Sequence, residues 1–115
     1  MAKGDYLGEF EQVVLWVLVR LGENAYGMTI RRELEKRTGR NVSIGAVYAT
    51  LGRLEQKGFV RSRPGEATPE RGGRARRYFT LTAAGAEALN ATRATLTGLW
   101  RGQVPARGVV KAVPA

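Results

Sequence analysis

Arginine is the residue type whose number and spacing indicate chemistry in this sequence. Six arginines and two glutamates lie between Arg61 and Arg77, which gives this segment a net charge of +4. The whole chain carries 19 Lys and Arg against 10 Asp and Glu, a formal net charge of +9. Because guanidinium groups pair well with phosphates, this excess indicates a polyanionic partner, either nucleic acid or an anionic membrane surface. The alternative is that the charge only keeps the protein soluble.

The side chains that most enzymes use for catalysis are scarce. The chain contains no Cys and no His, and Asp5 is its single Asp. Disulfides, thiol redox chemistry, imidazole catalysis and the usual zinc sites are therefore excluded. The pair Gly72-Gly73 lacks the strand-turn-helix context of a nucleotide-binding loop. We predict a protein that is not an enzyme and that holds no metal and no cofactor.

Length and hydropathy indicate one small globular domain. The chain has 115 residues, of which 43% are hydrophobic. Its longest uninterrupted apolar run, Val13 to Val19, is too short to span a bilayer, and no signal-peptide pattern follows Met1. We expect a cytoplasmic protein. Binding to a membrane surface is disfavoured because the basic residues do not oppose a wide apolar face on an exposed helix.

The first predicted helix runs from Glu9 to Leu21 and ends at Gly22. Its apolar residues leave little of its circumference polar: Phe10, Val13, Val14, Trp16, Val17, Leu18 and Leu21. A helix that is apolar on nearly all sides is buried on more than one side. In a domain of this size one side can face its own core, so we expect the other side to face a second subunit.

The second helix is predicted from Tyr26 to Thr38. Asn24 is expected as its N-cap and Gly39 as the residue that ends it. Ile30 and Leu34, one turn apart, form its inner stripe.

The third helix is predicted from Ile44 to Lys57, with Ser43 as its N-cap and Gly58 at its end. Steps of three, four and three residues place four apolar side chains on one inner face: Ile44, Val47, Leu51 and Leu54. The other face holds Ala46, Ala49, Thr50 and Arg53, with Tyr48 at the border. Small and polar side chains let an exposed helix face approach a partner closely.

A hairpin and a last helix complete the chain. Strands are predicted at residues 59–63 and 76–81, with a loop rich in Pro and Gly between them. Thr82 is expected to cap a helix from Ala83 to Trp100, whose large apolar residues lie within about one side: Leu89, Leu96, Leu99 and Trp100. The predicted organisation is a DNA-binding domain at residues 1–82, a dimerisation helix at 83–104 and a disordered tail at 105–115.

Three helices followed by a basic hairpin form the order of a winged helix-turn-helix, a mainly α fold with a two-stranded β wing. In this fold the third helix enters the major groove of DNA. Arginines of the hairpin can lie along the backbone or enter an adjacent minor groove. The candidate DNA-binding residues are Ser43, Ala46, Tyr48, Ala49, Thr50, Arg53, Lys57, Arg71, Arg74, Arg76 and Arg77. Two alternatives stay open: Tyr48 is only a boundary aromatic, or the hairpin arginines are only a solvated loop.

Five stretches in the same order and spacing carry a resemblance to a known family. They are LGEFE at residues 7–11, GENAYG at 22–27, SIGAVY at 43–48, LGRLEQKG at 51–58, and GGRARRYF at 72–79 followed by LTAAG at 81–85. Over residues 7–85 the chain resembles the PadR family of bacterial transcriptional regulators, and it resembles the short subgroup because it stops soon after one C-terminal helix.

The resemblance implies a homodimer that binds inverted-repeat operators on double-stranded DNA, usually as a repressor. The residue matched by Tyr48 lies at the DNA in this family, and the wing matched by residues 72–77 contacts the backbone. Some short members hold planar aromatic compounds between the first and last helices, which implies a small-molecule effector. The residues expected at the dimer interface or ligand pocket are Phe10, Val13, Trp16, Val17, Leu89, Leu96, Leu99 and Trp100.

Two questions stay open at this point. Trp16 and Trp100 either pack in the core or dimer, or line a ligand pocket. The fold either reads an operator, or serves as a winged-helix module that binds a protein partner or binds DNA non-specifically. A basic wing and a third helix without large exposed apolar residues argue against the protein partner.

Overall fold

The computed structural model describes residues 6–67, 75–103 and 112–113. The elements follow the predicted order of three helices, a hairpin and a fourth helix. They are α1 (Glu9–Leu21), a 3-10 helix (Gly22–Asn24), α2 (Gly27–Thr38), α3 (Ile44–Gln56), β1 (Val60–Ala67), β2 (Ala75–Leu81) and α4 (Ala83–Trp100). The prediction of a mainly α winged helix-turn-helix is confirmed.

Helix α1 lies at the centre of the core. Val14 and Leu15 are fully buried, and Val17 and Leu18 are each 3% exposed. The helix begins at Gly8, whose backbone N–H donates to the Glu11 carboxylate at 2.9 Å. This contact satisfies one of the amides that the first turn leaves without a helical partner.

Helix α2 begins one residue later than predicted, at Gly27, and Asn24 is not its cap. Asn24 closes the preceding 3-10 helix. The Thr29 hydroxyl takes the capping role instead: it accepts from the Tyr26 N–H at 2.9 Å and donates to the Asn24 carbonyl at 2.6 Å. The prediction of Gly39 as the end of the helix is confirmed by its φ of 72°.

Two arginines hold the turn between α2 and α3. Arg31 donates through Nε to the Val42 carbonyl at 2.8 Å. Arg40 forms a two-point ion pair with Glu9 of α1, at 2.9 and 2.6 Å. These contacts fix the angle at which α3 leaves α2, which is the angle that a helix-turn-helix uses to present its third helix.

Helix α3 has the predicted start but a rotated inner face. The Ser43 side chain accepts from the Ala46 N–H as predicted, and the helix ends at Gln56, one residue early. Ile44 is 37% exposed and Thr50 is 1% exposed, opposite to the prediction. The reason is that the buried stripe is centred on Val47, Leu51 and Leu54, which leaves Ile44 at the edge of this face and in the first turn, where less of the protein covers it.

The hairpin is longer than predicted, since β1 continues through Pro64 to Ala67. Its antiparallel register pairs Arg61 with Thr80 and Arg63 with Tyr78, with an irregularity between Pro64 and Ala67. Proline is tolerated there because β1 has only β2 as a neighbour in this two-stranded sheet. The predicted loop therefore forms strand on its β1 side.

Helix α4 matches its predicted bounds. Thr82 caps it by accepting from the Gly85 N–H at 3.0 Å, and it also donates to the Gly58 carbonyl at 2.7 Å. Gly85, Ala88 and Leu89 are the buried residues of this helix, so its second half projects from the core. The domain boundaries stay predictions, as does the disordered tail, most of which lies outside the described residues.

Candidate nucleic-acid interface

The outer face of α3 is built from small side chains. Ser43, Ala46 and Ala49 are exposed along it, and Tyr48 is 45% exposed at its border. Arg53 continues the same face one turn later. The inner face packs against α1 and α2, so the backbone of α3 is held rigidly while its outer face stays open. Such a face can enter a groove that admits a helix.

Tyr48 is held by a glycine on the neighbouring helix. Its ring and hydroxyl occupy the space that a Cβ on Gly27 would need. The other side of the ring lies 6.3 Å from the Phe79 ring of β2, measured between centroids. Tyr48 therefore bridges α3, the start of α2 and the wing, with its hydroxyl near the first residue of α2. Nothing in the sequence indicates that Gly27 contacts DNA. In the structure its missing side chain leaves the space that Tyr48 occupies.

Thr50 and Lys57 do not lie on the open face where the sequence placed them. Thr50 is buried, and its hydroxyl accepts from the Arg53 guanidinium at 3.1 Å. Lys57 turns inward: its ammonium donates to both Glu11 carboxylate oxygens at 3.0 Å and to the Tyr6 carbonyl at 3.2 Å. The sequence pattern of α3 alone does not reveal the Glu11 carboxylate on α1 that draws Lys57 inward.

Glu11 is the acidic centre of this contact. Glu11 is 7% exposed. Its carboxylate lies 3.9 Å from the Arg53 Nε atom and forms an ion pair with the Lys57 ammonium. Burial by itself would raise the pKa of its carboxyl. The hydrogen bonds from Gly8 and Lys57, together with the positive charges of Lys57 and Arg53, lower the pKa by more than burial raises it. The net result is a pKa below the usual value, so Glu11 is ionised at neutral pH. Glu11 was not among the predicted site residues.

Two arginines of the wing flank a pair of tyrosine rings, one on β2 and one at the start of α2. The Arg76 guanidinium lies 4.3 Å from the Tyr26 ring centroid, and Arg63 lies 4.8 Å from the Tyr78 ring centroid. The two tyrosine rings meet edge to face at 5.5 Å. The Tyr78 side chain raises the pKa of Arg76. Arg76, predicted as a phosphate contact, is thus half-buried and fixes the wing to α2, with its Nε atom buried.

Other arginines of the wing face solvent. Arg77 is exposed on β2, and Arg61 and Arg63 are exposed on β1. The last two were not among the predicted contacts, although their alternation with Ser62 on a strand is the signal that places them on one side. Arg71 and Arg74 lie outside the described residues.

The residues predicted for a dimer or ligand pocket divide into three groups by burial. Val17 and Leu89 are each 3% exposed and belong to the core of the protomer itself, which leaves them little surface for an interface. Phe10 and Val13 are partly buried against that core. Trp16, Leu96, Leu99 and Trp100 are exposed on α1 and α4, as is Val19 of α1, which was not predicted.

Two features are absent from the described part of the chain. No helix there is both long and apolar enough to span a membrane. Within the same residues, no three acidic, His or Cys side chains are grouped so that they could hold a metal ion.

The sequence matches the profile of the transcriptional regulator PadR-like family over residues 14–91, more than half of the chain. The chain belongs to this family. Members of the PadR-like family are transcription regulators and not enzymes, so the predictions of the family and of a non-enzyme are confirmed.

Solved structures agree with this PadR-like assignment. A PadR family regulator from Eggerthella lenta is 27% identical, with a TM-score of 0.65 over 82% of this chain and 81% of that one. A PadR family regulator from Clostridium difficile is 21% identical, with a TM-score of 0.67 over 83% and 94%. The winged-helix DNA-binding protein F93 from STIV is 20% identical, with a TM-score of 0.64 over 82% and 94%. These last two similarities concern the fold. None of the curated proteins compared with the chain matches it.

Proposed function

We propose that this PadR-like regulator is a dimeric repressor that binds an inverted-repeat operator and blocks transcription by occupying it. The observation that carries the proposal is the outer face of α3, where Ser43, Ala46 and Ala49 lie exposed beside a wing with arginines in solvent. A rigid helix face with small side chains fits the major groove, and neighbouring guanidinium groups fit the phosphates on either side.

The first half of α3 reads the base edges in this proposal. The methyl groups of Ala46 and Ala49 can contact thymine methyls, and the Ser43 hydroxyl can bond to a base or a phosphate. Tyr48, at the border of the face, donates its hydroxyl to a phosphate. Substitutions at Ala46 or Ala49 should change which sequence is preferred, whereas loss of a phosphate contact should weaken binding to every sequence alike.

The wing supplies contacts that do not depend on sequence. Each neutralised phosphate contributes about 0.9 to the slope of log K against log salt concentration. Arg77→Ala removes one contact from each subunit, so it should lower the slope for a dimer by about 1.8. Between 50 and 200 mM salt this makes the affinity loss about twelvefold smaller. An unchanged slope would remove Arg77 from the phosphate contacts.

A second copy of the chain is the partner that the exposed apolar side chains fit. On α4, Leu96, Leu99 and Trp100 are 48%, 66% and 54% exposed, and on α1 Trp16 and Val19 are 41% and 49% exposed. The second half of α4 projects from the core, and a projecting apolar helix needs cover. For this dimer we propose that the two copies of α3 lie on one side at a spacing of about 34 Å, which would fit successive major grooves.

Sedimentation tests this pairing. Leu96→Glu and Leu99→Glu change side chains that the protomer itself leaves exposed, so both variants should fold and sediment as monomers. Val17→Glu is unsuitable because Val17 belongs to the core of the protomer. If both exposed variants remain dimeric, α4 is not the interface.

We infer that a planar aromatic compound releases the operator by binding next to Trp16 and Trp100. These are the two tryptophans of the chain, they lie on the two helices of the proposed interface, and both are exposed. A planar ligand that stacks on either indole should quench its fluorescence. Compounds that quench should also weaken operator binding, and a quencher without effect on the operator complex would be a bystander.

Selection from random duplex DNA by the purified protein tests the whole proposal. An enriched inverted repeat, bound with a steep salt dependence, would support the dimeric repressor and supply the operator for the other assays. If no sequence is enriched and binding is weak and salt-sensitive, the operator proposal fails and non-specific DNA binding takes its place.

A further inference from the structure

Arg53 lies between two buried polar groups that belong to different helices. Its Nη2 atom donates to the Thr50 hydroxyl at 3.1 Å, and its Nε atom lies 3.9 Å from the Glu11 carboxylate. Thr50 and Glu11 are 1% and 7% exposed, while 55% of the Arg53 side chain is in solvent. One side of the guanidinium is therefore held by the protein, and the rest of it faces outward on α3.

Lys57 leaves the exposed Arg53 guanidinium with its positive charge, because Lys57 takes up the charge of Glu11. It donates to both oxygens of Glu11 at 3.0 Å and compensates most of the carboxylate charge. The carboxylate can then orient Arg53 without neutralising it completely. The same carboxylate accepts from the Gly8 N–H at the start of α1, which fixes its own position.

An unrestrained arginine loses much rotamer freedom when it binds a phosphate. Here part of that loss has already occurred on folding, because the Thr50 hydroxyl bonds to the guanidinium and the Glu11 carboxylate attracts it from 3.9 Å. We propose that Glu11 is a positioning residue for DNA binding: together with Thr50 it holds Arg53 in the orientation that contacts a DNA phosphate. This inference rests on the proposed function, since it concerns how the same surface binds DNA.

A double-mutant cycle on operator affinity tests the inference. Glu11→Gln, Arg53→Met and the double variant are compared across a salt series. The control is Glu33→Gln, which changes the net charge equally but removes only an exposed ion pair with Arg37 on α2. All variants are first checked for folding by circular dichroism.

Glu11→Gln should bind the operator roughly three- to tenfold more weakly than Glu33→Gln, a size typical of coupled residues in contact. In the Arg53→Met background, adding Glu11→Gln should change the affinity by less than about twofold. Arg53→Met itself should lower the salt slope by about 0.9 for each subunit. A role of Glu11 in the fold alone would not produce this dependence on Arg53.

Equal effects of Glu11→Gln with and without Arg53 would overturn the inference. If Glu11→Gln does not fold, Thr50→Val enters the same cycle, because it removes the hydroxyl acceptor with little change of shape; absence of coupling there overturns the inference as well. A wild-type protein that binds no DNA would refute the proposed function itself, whereas wild-type binding without coupling refutes only the role of Glu11.

Discussion

Gly85, in the first turn of α4, lies directly against the backbone at the root of the wing. A Cβ added there would overlap the carbonyl group of Phe59 and the side chain of Leu81. The Phe59 carbonyl cannot move away freely, because it accepts a hydrogen bond from the Thr82 N–H at 3.1 Å. Gly85→Ala must therefore push α4 away from the start of β1.

The magnitude follows from two opposing contributions. Overpacking a well-packed interior costs about 1–3 kcal/mol, and we take the upper end because the obstacle is backbone. Alanine in place of glycine within a helix returns about 0.5–1 kcal/mol. The free energy of unfolding should fall by about 2 kcal/mol, which lowers Tm by roughly 8 °C in a domain of this size.

Gly52→Ala is the matched control. Gly52 lies within α3 and is exposed, and a Cβ there would meet nothing within 4 Å. It should raise the free energy of unfolding by about 0.5–1 kcal/mol. Urea unfolding followed by circular dichroism, at equal protomer concentration and without DNA, measures both variants. Shifts of the same sign would refute the close contact deduced for Gly85.

Two further predictions concern the contacts of α3. Gly27→Ala should displace the Tyr48 ring, because the new Cβ takes the space of its hydroxyl. The free energy of operator binding should weaken by more than the free energy of unfolding falls, as measured in binding and urea titrations. Glu11→Gln should flatten the acid loss of stability: the folded state lowers the pKa of Glu11, so its contribution is complete above the unfolded pKa of about 4.3 and disappears as pH falls through the folded pKa. Urea unfolding between pH 7 and pH 3 should therefore show wild type losing more than Glu11→Gln. The hydrogen bond from Arg37 also lowers the pKa of Glu33, but an i,i+4 pair on a helix surface contributes little, so Glu33→Gln should follow wild type more closely than Glu11→Gln does. Parallel curves for Glu11→Gln and wild type would contradict this.

The helices were predictable because their signals are local. Glycines with a positive φ end α2 and follow α3, and Ser43 and Thr82 cap as hydroxyl residues commonly do. The cap of α2 was missed because both Asn24 and Thr29 have side chains that can cap a helix. Thr29 lies inside the helix, yet its hydroxyl reaches back to the Tyr26 amide. Because capping residues normally stand before the first turn, the sequence pattern points to Asn24 instead.

Site residues were less predictable because burial depends on other elements. Helical spacing placed Thr50 on the outer face, and only the packing of α1 against α3 shows that it is covered. The all-round apolar pattern of α1 did not separate buried Val17 from exposed Trp16 and Val19, and the covering of its second side by another subunit stays a prediction. That separation decides which substitutions can test a dimer.

The net charge of +9 overstates what the described residues can offer to DNA. Lys57 is paired with Glu11 inside the protein, Arg40 is paired with Glu9, and Arg76 stacks on Tyr26. The exposed basic side chains near the proposed interface are Arg53, Arg61, Arg63 and Arg77. If each neutralises one phosphate in each subunit, these residues contribute about 7 to the salt slope of a dimer. The proposed contacts between α3 and base edges depend on sequence, whereas phosphate contacts do not. The difference in affinity between operator and random DNA at high salt should therefore fall on substitution of Ala46 or Ala49 more than on substitution of Arg77.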